Sequence, residues 1–142
     1  MNSVRIYLAG AMSSLSFEEQ TKWRQRVRDA ILYGEYDYDF KPIFIDPTQY
    51  YNFEEVSHKS EKEVMNFDLN KVRTSDLIVV NFNDPSSLGT MVELAVAHEH
   101  RIPIVGMNNS DKILHPWQIE FCNRICDDMY ELVSHIVEFY LK

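Results

Sequence analysis

The stretch SSLGTMVELAVAH, residues 86–98, holds a carboxylate that can be interpreted in two ways. Thr90 and Glu93 stand three apart at the head of an apolar helical run, which is the pattern of a capping box. In that interpretation the Glu93 carboxylate only helps to begin a helix. In the other, Glu93 is a nucleophile that attacks a substrate. Taken alone, the pattern favours the capping box, so the elements around Glu93 must decide.

Strand and helix patterns alternate along the chain. Short apolar runs predict strands at 4–10, 42–47, 76–82 and 102–107, with a possible fifth at 123–127. Helical spacing predicts helices at 17–34 and 60–75, a third beginning near Thr90, and a closing helix at 128–142. This alternation predicts one α/β domain over residues 1–142, with a central parallel sheet of four or five strands covered by helices on both faces.

Details of the helices give further expectations. Ser16 is the candidate N-cap of the first helix, and Gly34 is its natural stop. The basic stretch KWRQRVR, residues 22–28, is interpreted as a solvated face of that helix. In the second helix the apolar positions Val64, Phe67 and Val72 predict the buried face. The aromatic tract at 49–58 predicts a functional loop.

Polar groups follow several of the predicted strands. Ligands of such sheets bind at the carboxyl ends of the strands. Tyr7 and the loop AGAMSS come at strand one and its end. Asn81, Asp84 and PSSLGT come at the end of strand three, and GMNNSDKILHPW (106–117) comes at the end of strand four. Asp68 lies on the helix before strand three. The sequence therefore predicts one site at this edge of the sheet.

The segments IYLAGAM and DLNKVRTSDLIVVNFNDPSSLGTMVELAVA, followed by the Pro-Ile-Val strand, resemble the nucleoside 2-deoxyribosyltransferase superfamily. This superfamily also contains hydrolases of (deoxy)nucleoside 5'-monophosphates. The resemblance runs from strand one to strand four, and residues 68–97 carry most of it. It implies a flavodoxin-like, Rossmann-like three-layer sandwich, no cofactor or metal, and a homodimer or higher homo-oligomer with active sites near subunit interfaces.

The resemblance also implies roles for three residues. Glu93 matches the nucleophilic glutamate, Asp68 the aspartate on the leaving-group side, and Tyr7 a tyrosine near the sugar. A carboxylate beneath C1' stabilises an oxocarbenium-like sugar and can capture it, while a second carboxyl group protonates the departing base. A helix N-terminus is expected to keep Glu93 ionised. Without the resemblance, Asp68 is a solvated helix carboxylate and Tyr7 a packed strand aromatic.

One departure from the transferase pattern concerns the 5' group of the substrate. Six residues before the nucleophile, the transferases carry an aspartate for the 5'-hydroxyl, and this chain has Ser87, as the monophosphate hydrolases do. A serine beside a helix N-terminus suits a phosphate. Gly10, Ser13 and Gly89 join Ser87 as predicted substrate-binding residues. The alternative is that Ser86 and Ser87 are only turn residues after Pro85.

His115 and Trp117 lie on a loop that in this superfamily reaches a neighbouring subunit's site. His115 is a candidate phosphate or sugar contact, and Trp117 a candidate wall for the base. Plain packing is the alternative for both.

Composition excludes several classes of protein. The net charge of −8 argues against a nucleic-acid polymer as partner. No apolar run is long enough for a membrane span, and the N-terminus MNSVRIYLAGAM is not a signal peptide. Cys122 and Cys126, four apart on a predicted helix, indicate buried thiols in a reducing, cytoplasmic setting, and the histidines show no metal-ligand spacing.

Together these features predict hydrolysis of the N-glycosidic bond of a (deoxy)nucleoside 5'-monophosphate, releasing base and sugar phosphate. Two alternatives stay open. The first is a 2-deoxyribosyltransferase that exchanges bases, and the second is a nucleotide-binding sensor without turnover. The retention of Tyr7, Asp68 and Glu93 favours an enzyme. A flavodoxin-like FMN protein is disfavoured because AGAMSS offers too few phosphate donors.

Overall fold

A central sheet of five parallel strands organises the chain. The computed structural model describes residues 2–50 and 60–142. The strands are β1 (Ser3–Gly10), β2 (Lys41–Ile45), β3 (Leu77–Asn81), β4 (Ile104–Met107) and β5 (Arg124–Cys126). They pair in the order β2-β1-β3-β4-β5, which is the flavodoxin-type arrangement. The predicted α/β fold is confirmed, including the fifth strand.

Helices cover both faces of this sheet. They are α1 (Phe17–Tyr33), α2 (Glu61–Arg73), α3 (Leu88–Glu99), α4 (Pro116–Phe121) and α5 (Met129–His135), which continues as a π-helical turn over Ile136–Tyr140. One core layer joins the sheet to α1 and α5, and the other contains residues of α2 and α3. All five residues of β3 are buried between the two layers, as an apolar central parallel strand requires.

Two helix beginnings follow the rules of N-terminal capping. The Ser16 hydroxyl accepts from the N–H of Glu19 at 3.2 Å, and the Glu19 carboxylate accepts from the N–H of Ser16. The predicted N-cap of α1 is therefore confirmed, and Gly34 ends that helix as expected. Ser60 caps α2 through the N–H of Glu63.

Other expectations are wrong. Phe67 is 44% exposed, and Leu69 replaces it on the buried face of α2 with Val64 and Val72. At 100° per residue, Leu69 lies 60° from Val72 whereas Phe67 lies 140° away. Arg24, within the stretch interpreted as solvated, is completely buried.

The segments flanking the last strands also differ from expectation. Helix α4 was not predicted, because six residues are too few to show a helical period. Cys122 ends α4 and Cys126 ends β5, so the cysteines do not share a helix, although both thiols are free. In the tract 49–58, residues 51–58 lie outside the described residues. Within the described chain no helix is long and apolar enough to cross a bilayer.

Candidate active site

A cleft of about 520 Å³ opens at the carboxyl ends of β1 and β3. Its walls are the loop after β1, one face of α2, the loop after β3 and the beginning of α3. Glu93 and Asp68 line it from different helices. Such a crevice is where open α/β sheets bind their ligands, so the structure places both predicted carboxylates where chemistry can occur.

Glu93 does not cap its helix. The N-cap of α3 is Ser87, whose hydroxyl accepts from the N–H of Thr90 at 3.4 Å. Helix α3 therefore begins one turn earlier than the Thr90–Glu93 pattern indicates, and the alternative interpretation of Glu93 as part of a capping box is wrong. The Glu93 carboxylate instead accepts a short hydrogen bond from the hydroxyl of Tyr7.

Tyr7 combines packing with a polar contact. It stands on β1, its side chain is completely buried, and its ring belongs to the core layer that includes residues of α2 and α3. Burial and the adjacent carboxylate of Glu93 raise the pKa of Tyr7 well above its ordinary value. The phenol therefore stays protonated and can hold Glu93 in place as a permanent donor.

Asp68 owes its position to the helical period of α2. It lies 40° from Val64 and 40° from Val72 on the helix surface, between two buried residues. Its side chain is half-buried and faces the cleft. Burial raises the pKa of Asp68 to about 6, against the opposing effect of Arg24. The group can therefore carry a proton near neutral pH, unlike a solvated helix carboxylate.

The ionisation of Glu93 differs from the sequence expectation. Burial raises the pKa of Glu93 to about 7 and Asp68 adds to the rise, while the Tyr7 hydrogen bond and Arg24 oppose it. The helix dipole acts mainly within the first turn, and Glu93 lies beyond it. The expectation that the helix N-terminus keeps Glu93 ionised is therefore wrong. Desolvation raises the pKa of Glu93 by more than the contacts with Tyr7 and Arg24 lower it.

The predicted substrate-binding residues at the head of α3 face the cleft. Since the Ser87 hydroxyl accepts from both the N–H and the hydroxyl of Thr90, its own proton is free for a ligand. A methyl group added at Gly89 would meet no atom within 4 Å. Ser13, which is exposed, lines the same cleft.

Gly10 lines the floor and has no room for a side chain. A Cβ there would stand 3.0 Å from Trp23 Cζ2 and 3.3 Å from the Asn81 carbonyl oxygen. Gly10 therefore allows β1 to pack closely against Trp23 and Asn81 at the floor of the cleft.

Asp84 has a position in the cleft whose importance the sequence reading missed. Its carboxylate accepts from the Ser14 and Ser86 hydroxyls at 2.6 Å each, and Lys112 Nζ lies 3.9 Å away. These hydrogen bonds lower the pKa of Asp84 to about 2. The spacing Asp-Pro-Ser, typical of a turn in which an aspartate bonds two residues on, was the available signal. Ser14 and Ser86 donate their hydroxyl protons to Asp84, whereas Ser13 and Ser87 donate to no acceptor among residues 2–50 and 60–142.

His115 and Trp117 do not reach the Glu93 cleft within one chain. They begin α4, where His115 Nδ1 accepts from the N–H of Trp117 at 3.1 Å, and they line a separate cavity of about 510 Å³ with Ile113 and Lys112. Of the residues that the structure describes, Ser86 alone lines both cavities. Trp117 is 71% exposed and Ile113 95%. The alternative that Trp117 only packs in the protein interior is therefore wrong for the isolated chain.

The cleft offers carboxylates and hydroxyls for a polar organic ligand. Among the described residues, no group of three His, Cys, Asp or Glu side chains is arranged to hold a metal ion.

Comparison with known proteins agrees with this geometry. Residues 3–110 match the model of a family described as "Nucleoside 2-deoxyribosyltransferase like". No curated protein matches the sequence.

Solved structures share the fold at low sequence identity. A conserved protein from Enterococcus faecalis V583 superposes with a TM-score of 0.73 at 16% identity, covering 96% of this chain and 98% of that one. A 2-deoxyribosyltransferase from Bacillus psychrosaccharolyticus gives 0.67 at 17%, covering 92% and 90%. A Clostridium botulinum CMP N-glycosidase gives 0.57 at 16%, covering 95% and 99%.

Proposed function

Because the chain belongs to the nucleoside 2-deoxyribosyltransferase-like family, we propose that it is an enzyme that hydrolyses the N-glycosidic bond of a (deoxy)nucleoside 5'-monophosphate. The family supports an activity of the deoxyribosyltransferase or N-glycosidase type. The observation that carries the finer proposal is the cleft in which Glu93, held by the Tyr7 hydroxyl, shares its walls with Asp68. A nucleophile and a proton donor are what cleavage of a C–N glycosidic bond requires.

In the first step Glu93 acts as an anion. One carboxylate oxygen bonds to C1' of the sugar while the C1'–N bond breaks, and the electron pair of that bond leaves with the base. The Asp68 carboxyl group, with a pKa of about 6, gives its proton to the base. Positive charge on the sugar favours the ionised form of Glu93, which offsets its raised pKa.

In the second step water replaces the enzyme at C1'. The ionised Asp68 takes a proton from a water molecule whose oxygen bonds to C1', and the ester bond to Glu93 breaks. Glu93 leaves as the carboxylate, again bonded to Tyr7, and Asp68 is protonated for another turnover. The products are a free base and a (deoxy)ribose 5-phosphate.

The head of α3 supports a phosphate partner. The first N–H groups of a helix have no partner within it, so those of Leu88 and Gly89 can donate to an anion. The Ser87 hydroxyl has a free proton, and Ser13 lies on the opposite loop. Because the Ser14 and Ser86 hydroxyls already donate to Asp84, we place the phosphate nearer to Ser87 and Gly89.

Asp84 also gives the second candidate function its support. An ionised carboxylate in the cleft would accept a hydrogen bond from a free 5'-hydroxyl and repel a phosphate. A nucleoside 2-deoxyribosyltransferase, which passes the sugar from Glu93 to a second base instead of water, is therefore the alternative.

The proposal extends to assembly. We propose a homodimer or higher oligomer in which His115 and Trp117 of one copy complete the cleft of a neighbour, since neither residue lines the cleft of its own chain.

A panel assay tests the proposed function. The protein is incubated with nucleosides and their 5'-monophosphates, with and without a second free base, and the released base is measured by chromatography. Base release from a monophosphate in water supports the hydrolase, whereas release that depends on an acceptor base supports the transferase. Glu93→Ala should abolish either activity, and the control Glu99→Ala, exposed at the other end of α3, should retain it. An inactive wild type would overturn the assignment.

A further inference from the structure

A completely buried arginine lies beneath the cleft, outside the set of residues that the proposed mechanism uses. The Arg24 guanidinium donates from Nε to the Leu8 carbonyl at 3.1 Å and from Nη2 to the Gly10 carbonyl at 3.2 Å. Its third nitrogen donates to Gln20 within α1. Gly10 lines the cleft and Leu8 follows Tyr7, so the contacts of Arg24 lie directly behind the site.

The Leu8 and Gly10 carbonyls lie on the part of β1 that β2 does not reach. Strand β2 ends at Ile45, opposite Tyr7, while β1 continues to Gly10. Carbonyls alternate in direction along a strand. The Asn2 carbonyl accepts from β2 and the Arg5 carbonyl from Asp76, next to β3. Even-numbered carbonyls of β1 therefore face the β2 side, and those of Leu8 and Gly10 lie beyond its end.

The planar fork of an arginine suits this gap. Two donors held in one rigid plane can serve two acceptors that point the same way, and they satisfy carbonyls whose burial without a partner would be costly. Only one carboxylate, Asp46, pairs with Arg24 among the described residues, with Nε and Oδ1 3.8 Å apart. Arg28 shares Asp46 at 3.5 Å.

We propose that Arg24 is a positioning residue for the cleft: its guanidinium takes the place of β2 along the end of β1 and supplies positive charge behind Glu93 and Asp68. The proposal rests on the proposed function for the roles of those two carboxylates. Within the described part of the chain, the charged or titratable groups that act on the guanidinium are Asp46 after β2, Tyr7 on β1, Asp68 on α2 and Glu93 on α3.

The electrostatic consequence agrees with this placement. Arg24 lowers the pKa of both Glu93 and Asp68. Burial of each carboxyl group has the larger effect and raises its pKa. Without Arg24, a larger fraction of Glu93 would be protonated at neutral pH and unable to act as a nucleophile. Arg24 would then control how much of the enzyme is active, without touching the substrate.

The test is a titration without substrate, so it is independent of whether any nucleotide is cleaved. The Glu93 carboxyl carbon is followed by NMR against pH in ¹³C-glutamate-labelled wild type, Arg24→Gln and the control Arg28→Gln. Arg28→Gln also removes a cation from Asp46 but leaves β1 untouched. We expect Arg24→Gln to raise the pKa of Glu93 by about half a unit or more, and Arg28→Gln to leave it nearly unchanged. Equal shifts in both variants, or no shift in Arg24→Gln, would overturn the proposal.

A second comparison covers the case in which Arg24→Gln does not fold. Replacing both members of a buried ion pair is tolerated better than removing one, so Arg24→Gln with Asp46→Asn is titrated against Asp46→Asn alone. A higher pKa of Glu93 in the double variant supports the role of the Arg24 charge, and an equal or lower pKa overturns it.

Arg24→Lys then separates charge from geometry. A lysine keeps the positive charge but has a single compact donor group in place of the fork. We expect the pKa of Glu93 to stay close to that of wild type, while kcat for the cleaved substrate falls several-fold and KM changes little. An unchanged kcat would overturn the positioning role.

Discussion

At the scale of single residues, Glu93 is subject to opposing demands. A nucleophile must be ionised, yet a site that strengthens electrostatic interactions must exclude water. Burial has the larger effect on the pKa of Glu93, which rises to about 7. Tyr7 and Arg24 restrain the rise without removing it. Ionisation of Glu93 is therefore costly in the free protein, and in the proposed reaction it becomes favourable once positive charge develops on the sugar.

This cost should appear in the stability of the protein. Between pH 4.5, the ordinary pKa of Glu93, and about 7, its pKa in the fold, the unfolded chain releases a proton that the folded protein keeps. Stability contributed by Glu93 is therefore complete below pH 4.5 and is lost as the pH rises to about 7, by on the order of 3 kcal/mol.

Glu93→Gln can still accept from Tyr7 but cannot ionise. We expect it to be more stable than wild type at pH 8 and to lose this advantage at pH 4.5, measured by urea unfolding. A stability difference that is the same at both pH values would contradict the raised pKa of Glu93.

Ser87 is the N-cap of α3 and also a proposed contact of the substrate phosphate. Two substitutions separate these two roles. Ser87→Ala should cost about 1 kcal/mol of stability through the lost N-cap and lower kcat/KM for a monophosphate roughly tenfold or more, since one hydrogen bond to a charged group is lost. Ser87→Asp preserves the cap, so it should unfold like wild type, yet its charge should lower that kcat/KM further.

The matched free nucleoside is the control substrate for both variants, because it has no phosphate to lose. A ratio of kcat/KM, monophosphate over nucleoside, that Ser87→Asp leaves unchanged would replace the phosphate assignment with the 5'-hydroxyl alternative.

At the scale of secondary structure, the beginning of α3 shows what local pattern can predict. The apolar run predicts that a helix is present. It does not predict the first residue of the helix, because two serines, a glycine and a threonine precede the run and several of them can begin a helix. The choice of Ser87 over Thr90 depends on the position of Glu93, whose carboxylate bonds to Tyr7 on another element. Local sequence contains no information on that partner, which lies 86 residues away.

Gly89 in this first turn tests the close approach of a phosphate. Ala is favoured over Gly in a helix, and a methyl group here meets nothing, so Gly89→Ala should stabilise the free protein by about 0.5 kcal/mol. A phosphate oxygen on the Gly89 N–H would meet that methyl group, so KM for a monophosphate should rise several-fold. A stabilised variant with an unchanged KM would show that the ligand does not approach Gly89.

Helices α1 and α2 show how a charged residue can belong to the core. The spacing that buries Val27 and Ile31 also contains Arg24, and the spacing that buries Val64 and Val72 contains Asp68. The helical period therefore predicts that both charges point inward. Composition alone, which favours solvated charges, led to the wrong interpretation of Arg24.

At the scale of the whole molecule, the alternation of strands and helices was sufficient to predict a parallel sheet and the edge that holds the cleft. It was not sufficient to predict that β2 stops three residues before β1, since strand ends depend on pairing between distant segments. The gap that Arg24 fills is therefore visible only in three dimensions. The extent of the domain over 1–142 and its cytoplasmic location stay predictions.

Exposed apolar residues lie at the cavity of His115 and Trp117 and at the edge of the Glu93 cleft. Leu88 at the head of α3, Ile113 and Trp117 are 80%, 95% and 71% exposed. Single exposed apolar residues are ordinary, but Ile113 and Trp117 line the same cavity, and exposed apolar side chains grouped in this way are typical of an interface. Leu88 also lines the Glu93 cleft, so a partner that covers it would close the site.

Mixing inactive subunits tests this arrangement. Glu93→Ala lacks the proposed nucleophile and His115→Ala lacks the residue proposed to serve the neighbour, so each homo-oligomer should be inactive. In a mixed interface one of the two clefts combines an intact Glu93 with an intact His115 from the other chain. At equal subunit amounts and random pairing, about a quarter of the clefts should recover, measured as base release after subunit exchange has been verified with differently tagged chains. Full activity of His115→Ala alone, or no recovery after exchange, would mean that His115 serves no neighbouring site.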